Sequence, residues 1–142
     1  MRALLDVNVL IALLDADHSL NVSATRWFAE NGKAGWSSCP LTQNGCVRVM
    51  SHSGYPNPLP VRAIVERLAE AAAHTLHEFW ADDVSVLDPA VVDPVRVHGP
   101  RQLTDVYLLA LAIAHRGRLV TFDKSIPLEA ARGAQKRHLE VI

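Results

Sequence analysis

The chain has 142 residues, 49% of them hydrophobic, and a formal net charge of -1. That length suits one domain around one core, with enough surface to bury that no disulfide or metal staple is needed. A near-neutral balance excludes a global basic field, so nucleic-acid binding cannot be argued from total charge and any basic surface has to be local.

In chain order, residues 2–6 read as a short buried strand through Ala3, Leu4 and Leu5. A helical apolar pattern follows from Val9 to Leu14 and closes at the polar stretch 15–18. A second helix spans 21–31, with Val22, Trp27 and Phe28 apolar, and stops at Asn31-Gly32 and Gly35. Residues 36–39 predict the second strand, and Pro40 suits the first turn of a third helix carrying Leu41, Val47, Val49 and Met50. Residues 51–60 hold Gly54, Pro56, Pro58 and Pro60 and read as a loop. Helix returns over 61–77, rich in Ala, Leu, Glu and Arg. Asp82-Asp83 then turns the chain into a third strand over 84–87. Pro89, Pro94, Gly99 and Pro100 punctuate the next stretch, and Thr104 or Asp105 caps the next helix. That helix ends near Arg116-Gly117, where glycine fits a left-handed position. Residues 118–122 form a strand, 127–131 a short helix and 138–142 a last strand. Alternating strands and helices without a repeat or long linker predict a single α/β domain over 1–142 with a mainly parallel sheet.

Cys39 and Cys46 do not suggest a disulfide framework and read as semi-buried thiols in a reducing compartment. Asp6 and Asn8 interrupt any signal-peptide core. The apolar stretch 106–114 is too short to span a bilayer. The expected location is cytoplasmic, with no membrane partner.

Asp6, Asp105 and Asp123 each stand where a strand hands over to a helix or loop. One such aspartate alone is a turn or cap residue, and each of these has that reading open. Together they fall at one predicted sheet edge, where open α/β sheets bind ligands. Clustered carboxylates repel unless a proton or cation intervenes. All-oxygen ligands favour hard cations, Mg²⁺ or Mn²⁺, and such a cation supports phosphodiester hydrolysis.

Four segments carry a family resemblance: residues 5–13 (LDVNVLIAL), 39–45 (CPLTQNG), 103–110 (LTDVYLLA) and 120–124 (VTFDK). In this order and spacing the chain resembles the PIN-domain ribonucleases, and among them the VapC-type toxins of toxin–antitoxin pairs. The resemblance implies a βαβ-type fold with a parallel sheet and a metal-dependent endoribonuclease that acts on structured RNA, tRNA or ribosomal RNA. It also implies a homodimer, and a cognate antitoxin whose C-terminal segment lies across the active site. By that resemblance Asp6, Asp105 and Asp123 match the catalytic, metal-binding acids, while Asn8 and Thr104 match polar neighbours that orient ligands or water. Where the family commonly carries a Glu in the third helix, this chain has Gln43. An amide can coordinate through its carbonyl or bond a water, but it supplies no charge and no general base. A three-acid site therefore holds divalent cations less tightly. The rival expectation is a weakened module that binds RNA or antitoxin without efficient cleavage.

Other features read as structural or stay open. Asp82-Asp83, placed before the third predicted strand, suits a solvated turn. His74 and His77, on one predicted helix, lack a third ligand. Trp27, Trp36 and Trp80 suit core or interface positions. Arg101 and Lys124, with His98 and Gln102, are either RNA phosphate contacts or ordinary polar loop residues. Arg48, Arg62 and Arg67 are candidates for local positive surface. No Walker-type loop or serine nucleophile elbow is present.

Overall fold

A computed structural model describes residues 1–142. Its strands are β1 (Ala3–Leu5), β2 (Trp36–Ser38), β3 (His77–Phe79), β4 (Arg118–Thr121) and β5 (Leu139–Val141). They form one sheet in the order β3-β2-β1-β4-β5, parallel at every pairing. Five helices cover it: α1 (Val7–Leu14), α2 (Asn21–Asn31), α3 (Pro40–Ser51), α4 (Val61–Ala72) and α5 (Leu103–Ala114).

β1 is the axis of this arrangement. Its side chains alternate, as strand geometry requires. Leu4 packs with Val106, Leu108 and Leu109 of α5 on one face. Ala3 and Leu5 face Val9 and Leu10 of α1, Cys46 of α3 and Ile64 of α4 on the other. Burial on both faces explains the unbroken apolar run Ala3-Leu4-Leu5. From β1 the chain builds outward through β2 and β3, then returns to lay β4 on the opposite side of β1. The winding therefore reverses between β1 and β4. A crevice opens at the carboxyl ends of strands at such a switch point.

Several expected elements shift. The helix expected to begin at Val9 begins at Val7, because Asp6 caps it. The helix expected over 61–77 stops at Ala72, and His77 belongs to β3. Residues 84–87 form no strand; Val84 and Val86 instead pack against the α5-side core. The reason is tertiary. β3 is an edge strand, held by β2 through Trp36↔His77 and Ser38↔Phe79, by the Trp36 and His77 rings at 4.3 Å, and by Ser38 Oγ to His77 Nε2 at 2.9 Å. Its sequence His-Glu-Phe carries no apolar strand pattern, whereas Val84-Ser85-Val86 has the alternation but pairs with no strand and spends its apolar side chains on the α5-side core. His74 and His77 thus share no helix face. Asp82-Asp83 follows a strand rather than preceding one. Asp82 Oδ2 accepts from Leu41 N at 3.1 Å, at the start of α3, and Asp83 pairs with His115 at 2.9 Å. The expected helix over 127–131 is a single 3₁₀ turn, Leu128–Ala130. All three tryptophans are buried, and both cysteines are buried and free.

Thr104 lies inside the first turn of α5 and does not cap it; Gln102 holds the cap position, its side chain making no bond to the helix's own amides. At the other end of α5, Arg116 takes the left-handed conformation (φ 57°) expected of Gly117. Gly117 answers a different constraint: a Cβ there would lie 2.6 Å from the Trp80 ring and 2.7 Å from the Arg2 carbonyl oxygen. We expect Gly117→Ala to destabilise the fold by roughly 1–3 kcal/mol, the usual cost of overpacking, read as a lower denaturant midpoint in chemical unfolding.

Candidate metal centre

Asp6 stands at the junction of β1 and α1. Its Oδ1 accepts from the Val7 amide at 2.7 Å and its Oδ2 accepts from the Thr121 hydroxyl at 2.6 Å. Only 5% of the residue is exposed. The Thr121 hydroxyl, at the end of β4, also accepts from Asn8 Nδ2 at 3.1 Å and from the Asp123 amide at 3.0 Å. Asn8 closes the network by accepting from the Phe122 amide at 3.3 Å. Asp123 is held by its own turn, its Oδ1 accepting from the Ser125 amide at 2.7 Å and the Ser125 hydroxyl at 2.6 Å. Asp105 enters from the other side, in the first turn of α5, where the helix dipole favours an acid.

The carboxyls respond to one another. Burial raises Asp6 above the usual carboxylate range against the pull of its Thr121 and Val7 bonds, and the Asp123 charge adds to the rise. Asp105 is pushed up to about 6 by burial, by the Asp6 and Asp123 charges and by a hydrogen bond to Asp123. Asp123 moves the other way, held down by the Ser125 hydroxyl and amide and by its bond with Asp105. Converging carboxylates divide in this manner when one keeps a proton and the other its charge.

No salt bridge of the structure reaches Asp6, Asp105 or Asp123. The charge at this edge has no basic partner. The acids also do not close into a tight shell, and no group of three or more His, Cys, Asp or Glu side chains is close enough to encage a metal directly. A wide, all-oxygen set fits a hard cation that keeps part of its water shell.

The remaining expected site residues divide. Asn8 belongs to the network. Thr104 is exposed, as are Arg101 and Lys124, and neither of the two bases enters a salt bridge. Gln43 donates from Nε2 to Ser38 Oγ at 2.9 Å, the same hydroxyl that meets His77, and it hydrogen-bonds none of the aspartates. Thr121 and Ser125 were missed from sequence. The signal for Thr121 was a lone hydroxyl after the buried apolar pair Leu119-Val120; for Ser125, its place two residues after an aspartate, where a side-chain turn forms.

Comparison with known proteins agrees with this geometry. The PIN domain model matches residues 3–131. The chain belongs to the PIN-domain family, among its VapC-type ribonucleases. It is 54% identical over 142 residues, the full length of both chains, to ribonuclease VapC44 of Mycobacterium tuberculosis. Ribonuclease VapC39 of the same species is 40% identical over 134 residues, 94% of this chain and 96% of the relative. Among solved structures, the M. tuberculosis toxin VapC20, described as cleaving the sarcin–ricin loop, superposes with a TM-score of 0.62 at 13% identity, covering 87% of this chain and 91% of that one. VapBC2 of Rickettsia felis, solved on a promoter DNA fragment, gives a TM-score of 0.56 at 13% identity over 88% and 90% of the two chains. At that identity these two speak to the fold alone.

In the VapC-type site, Thr121→Val keeps the shape but removes a hub of three hydrogen bonds. We expect a loss of roughly 1–3 kcal/mol, the usual cost of stranding buried polar partners, seen in chemical denaturation. Asp105 titrates near 6 when folded and near 4 when unfolded. Its raised folded value means that this carboxyl's contribution to stability is fully present below about pH 4 and is lost as pH rises through about 6. The cation-free chain should therefore melt at a lower temperature at pH 7 than that carboxyl would otherwise allow. A divalent cation should raise the melting temperature at pH 7 and have little effect at pH 4.5, as followed by thermal-shift measurements at the two pH values.

Proposed function

We propose that this VapC-type ribonuclease is an endoribonuclease that hydrolyses RNA phosphodiester bonds with Mg²⁺ or Mn²⁺ held by Asp6, Asp105 and Asp123. The observation that carries this reading is the convergence of three carboxylates without a basic partner at the β1/β4 switch point. When bound, the cation polarises the phosphate and lowers the pKa of an attacking water. The chain's own residues prepare the site. The Val7 amide and Thr121 hydroxyl hold the Asp6 carboxylate in one orientation, each leaving its oxygen a further lone pair to offer. Asn8 locks Thr121 in turn. Ser125 keeps Asp123 ionised, and the α5 N-terminus presents Asp105. Thr104, exposed beside Asp105, orients water or substrate. Arg101 and Lys124 flank the acids and contact RNA phosphates, which adds affinity without reading sequence.

The substrate is an RNA of the tRNA or ribosomal class, and the whole chain, residues 1–142, acts as one PIN domain. A cognate antitoxin silences it by crossing the acidic edge. The active form is a homodimer, to which the apolar side chains left exposed on α3 and α4, among them Leu41, Val61 and Val65, are suited. The compartment is the cytoplasm, in keeping with two reduced, buried thiols; no helix is long and apolar enough to cross a membrane.

Asp6→Asn and Asp105→Asn should abolish RNA cleavage and growth toxicity with the fold retained by circular dichroism. Full cleavage by either variant would sink the assignment. A second reading has one observation in its favour: the Gln43 amide is engaged with Ser38, so no fourth acid reaches the site from α3. On that reading the domain binds RNA or antitoxin with little turnover. Cleavage assays with and without EDTA separate the two. A sharp rise in activity in Gln43→Glu would mark the native site as weakened.

A further inference from the structure

We infer that Gln102 is a positioning residue that sets the spacing of Asp105 and Asp123, and through it the strength with which the pair holds a divalent cation. This rests on the reading of those two acids as cation ligands.

Gln102 immediately precedes α5, three residues before Asp105. Its two amide atoms are both engaged. Oε1 accepts from the His98 amide at 3.0 Å, and Nε2 donates to the Ser125 carbonyl at 3.1 Å. Ser125 is the residue whose amide and hydroxyl both donate to Asp123 Oδ1. Ser125 is therefore held from two sides: one side grips Asp123 and the other is tied to the root of α5. The Gln102–Ser125 bond is the side-chain hydrogen bond that joins the turn of Asp123 to the root of α5.

The chemistry requires an amide. The position faces one N–H and one carbonyl at once, so it needs an acceptor and a donor on the same head group. A carboxylate offers acceptors alone and an ammonium donors alone. The purpose is electrostatic. Ionised Asp105 and Asp123 repel, and the turns that carry them are free to part unless tied. A strap placed outside the acids limits that spread without occupying either carboxylate. Outer groups that orient ligands in this way change metal affinity by about 10–100-fold when lost.

The test uses the full-length chain and MnCl₂ as probe. Isothermal titration and thermal shift are run on wild type, Gln102→Met, Ser125→Ala, the double variant and Asp105→Asn. Gln102→Met keeps the side-chain length and removes both hydrogen bonds. It should weaken Mn²⁺ binding on the order of tenfold, while the melting temperature of the cation-free chain changes little. RNA cleavage lost at low Mn²⁺ should return as Mn²⁺ is raised. Because both residues act on Asp123 through one path, the double variant should lose less than the product of the single effects. Should the methionine variant not fold, Gln102→Asn, too short to reach Ser125, gives the same readout. Mn²⁺ binding by Gln102→Met as tight as by wild type, with Asp105→Asn still abolishing it, overturns the strap alone. Failure of wild type to bind Mn²⁺, or undiminished binding by Asp105→Asn, overturns the cation-site reading itself.

Discussion

The hydrogen bond from the Thr121 hydroxyl to Asp6 joins the ends of β1 and β4, and the candidate site is built outward from it. β1 and β4 are neighbours in space but lie on either side of the point where the sheet's winding reverses. Nothing in the connectivity aligns their ends beyond the parallel register Ala3↔Arg118 to Leu5↔Val120. The Asp6 amide continues that ladder onto the Val120 carbonyl at 3.0 Å, and the threonine then fixes the Asp6 side chain. Asn8 and the Asp123 amide both converge on the same hydroxyl. A buried carboxylate is costly unless its hydrogen bonds are satisfied, so the network is the condition under which an acid can stand at 5% exposure between two apolar cores.

That cost is only partly met. Hydrogen bonds lower Asp6, yet burial prevails, and Asp105 is driven far enough up to hold a proton in mildly acidic solution. The fold stores like charge at one edge, with the bases of the neighbourhood, Arg101 and Lys124, turned out to solvent. Structural ion pairs elsewhere show the contrast. Asp93 meets Arg96 and Arg132, and Glu140 meets Arg118. The acids of the β1/β4 crevice differ from these in having each other as partners. Such an arrangement of like charge at one edge costs the fold stability.

The sequence was legible where local physics decides. The unbroken apolar run of β1 announced a strand buried on both faces, and the 21–31 helix matched its expected bounds to the residue. The three aspartates were legible as a set because each closes or opens an element at the same sheet edge. Legibility failed at β3, where His77-Glu78-Phe79 becomes a strand only because β2 offers a free edge and Trp36 a ring to pack on. The same failure moved Asp82-Asp83 from the beginning of a strand to its end. At Gly117 the residue was right and the reason wrong: local turn preference suggested a left-handed glycine, while the Trp80 ring and the Arg2 carbonyl across the core exclude a side chain there.

Taken alone, the sequence determined the class of fold, the family and the three aspartates proposed to carry its chemistry, because periodicity, capping and short motifs are properties of neighbouring residues. Tertiary structure decided which polar groups serve those acids. Thr121 and Ser125 bond the aspartates of the candidate site, and the Gln43 amide bonds Ser38. Those outcomes depend on contacts between residues up to 115 positions apart. They are set by strand register and by competition for each donor and acceptor, which no local pattern encodes.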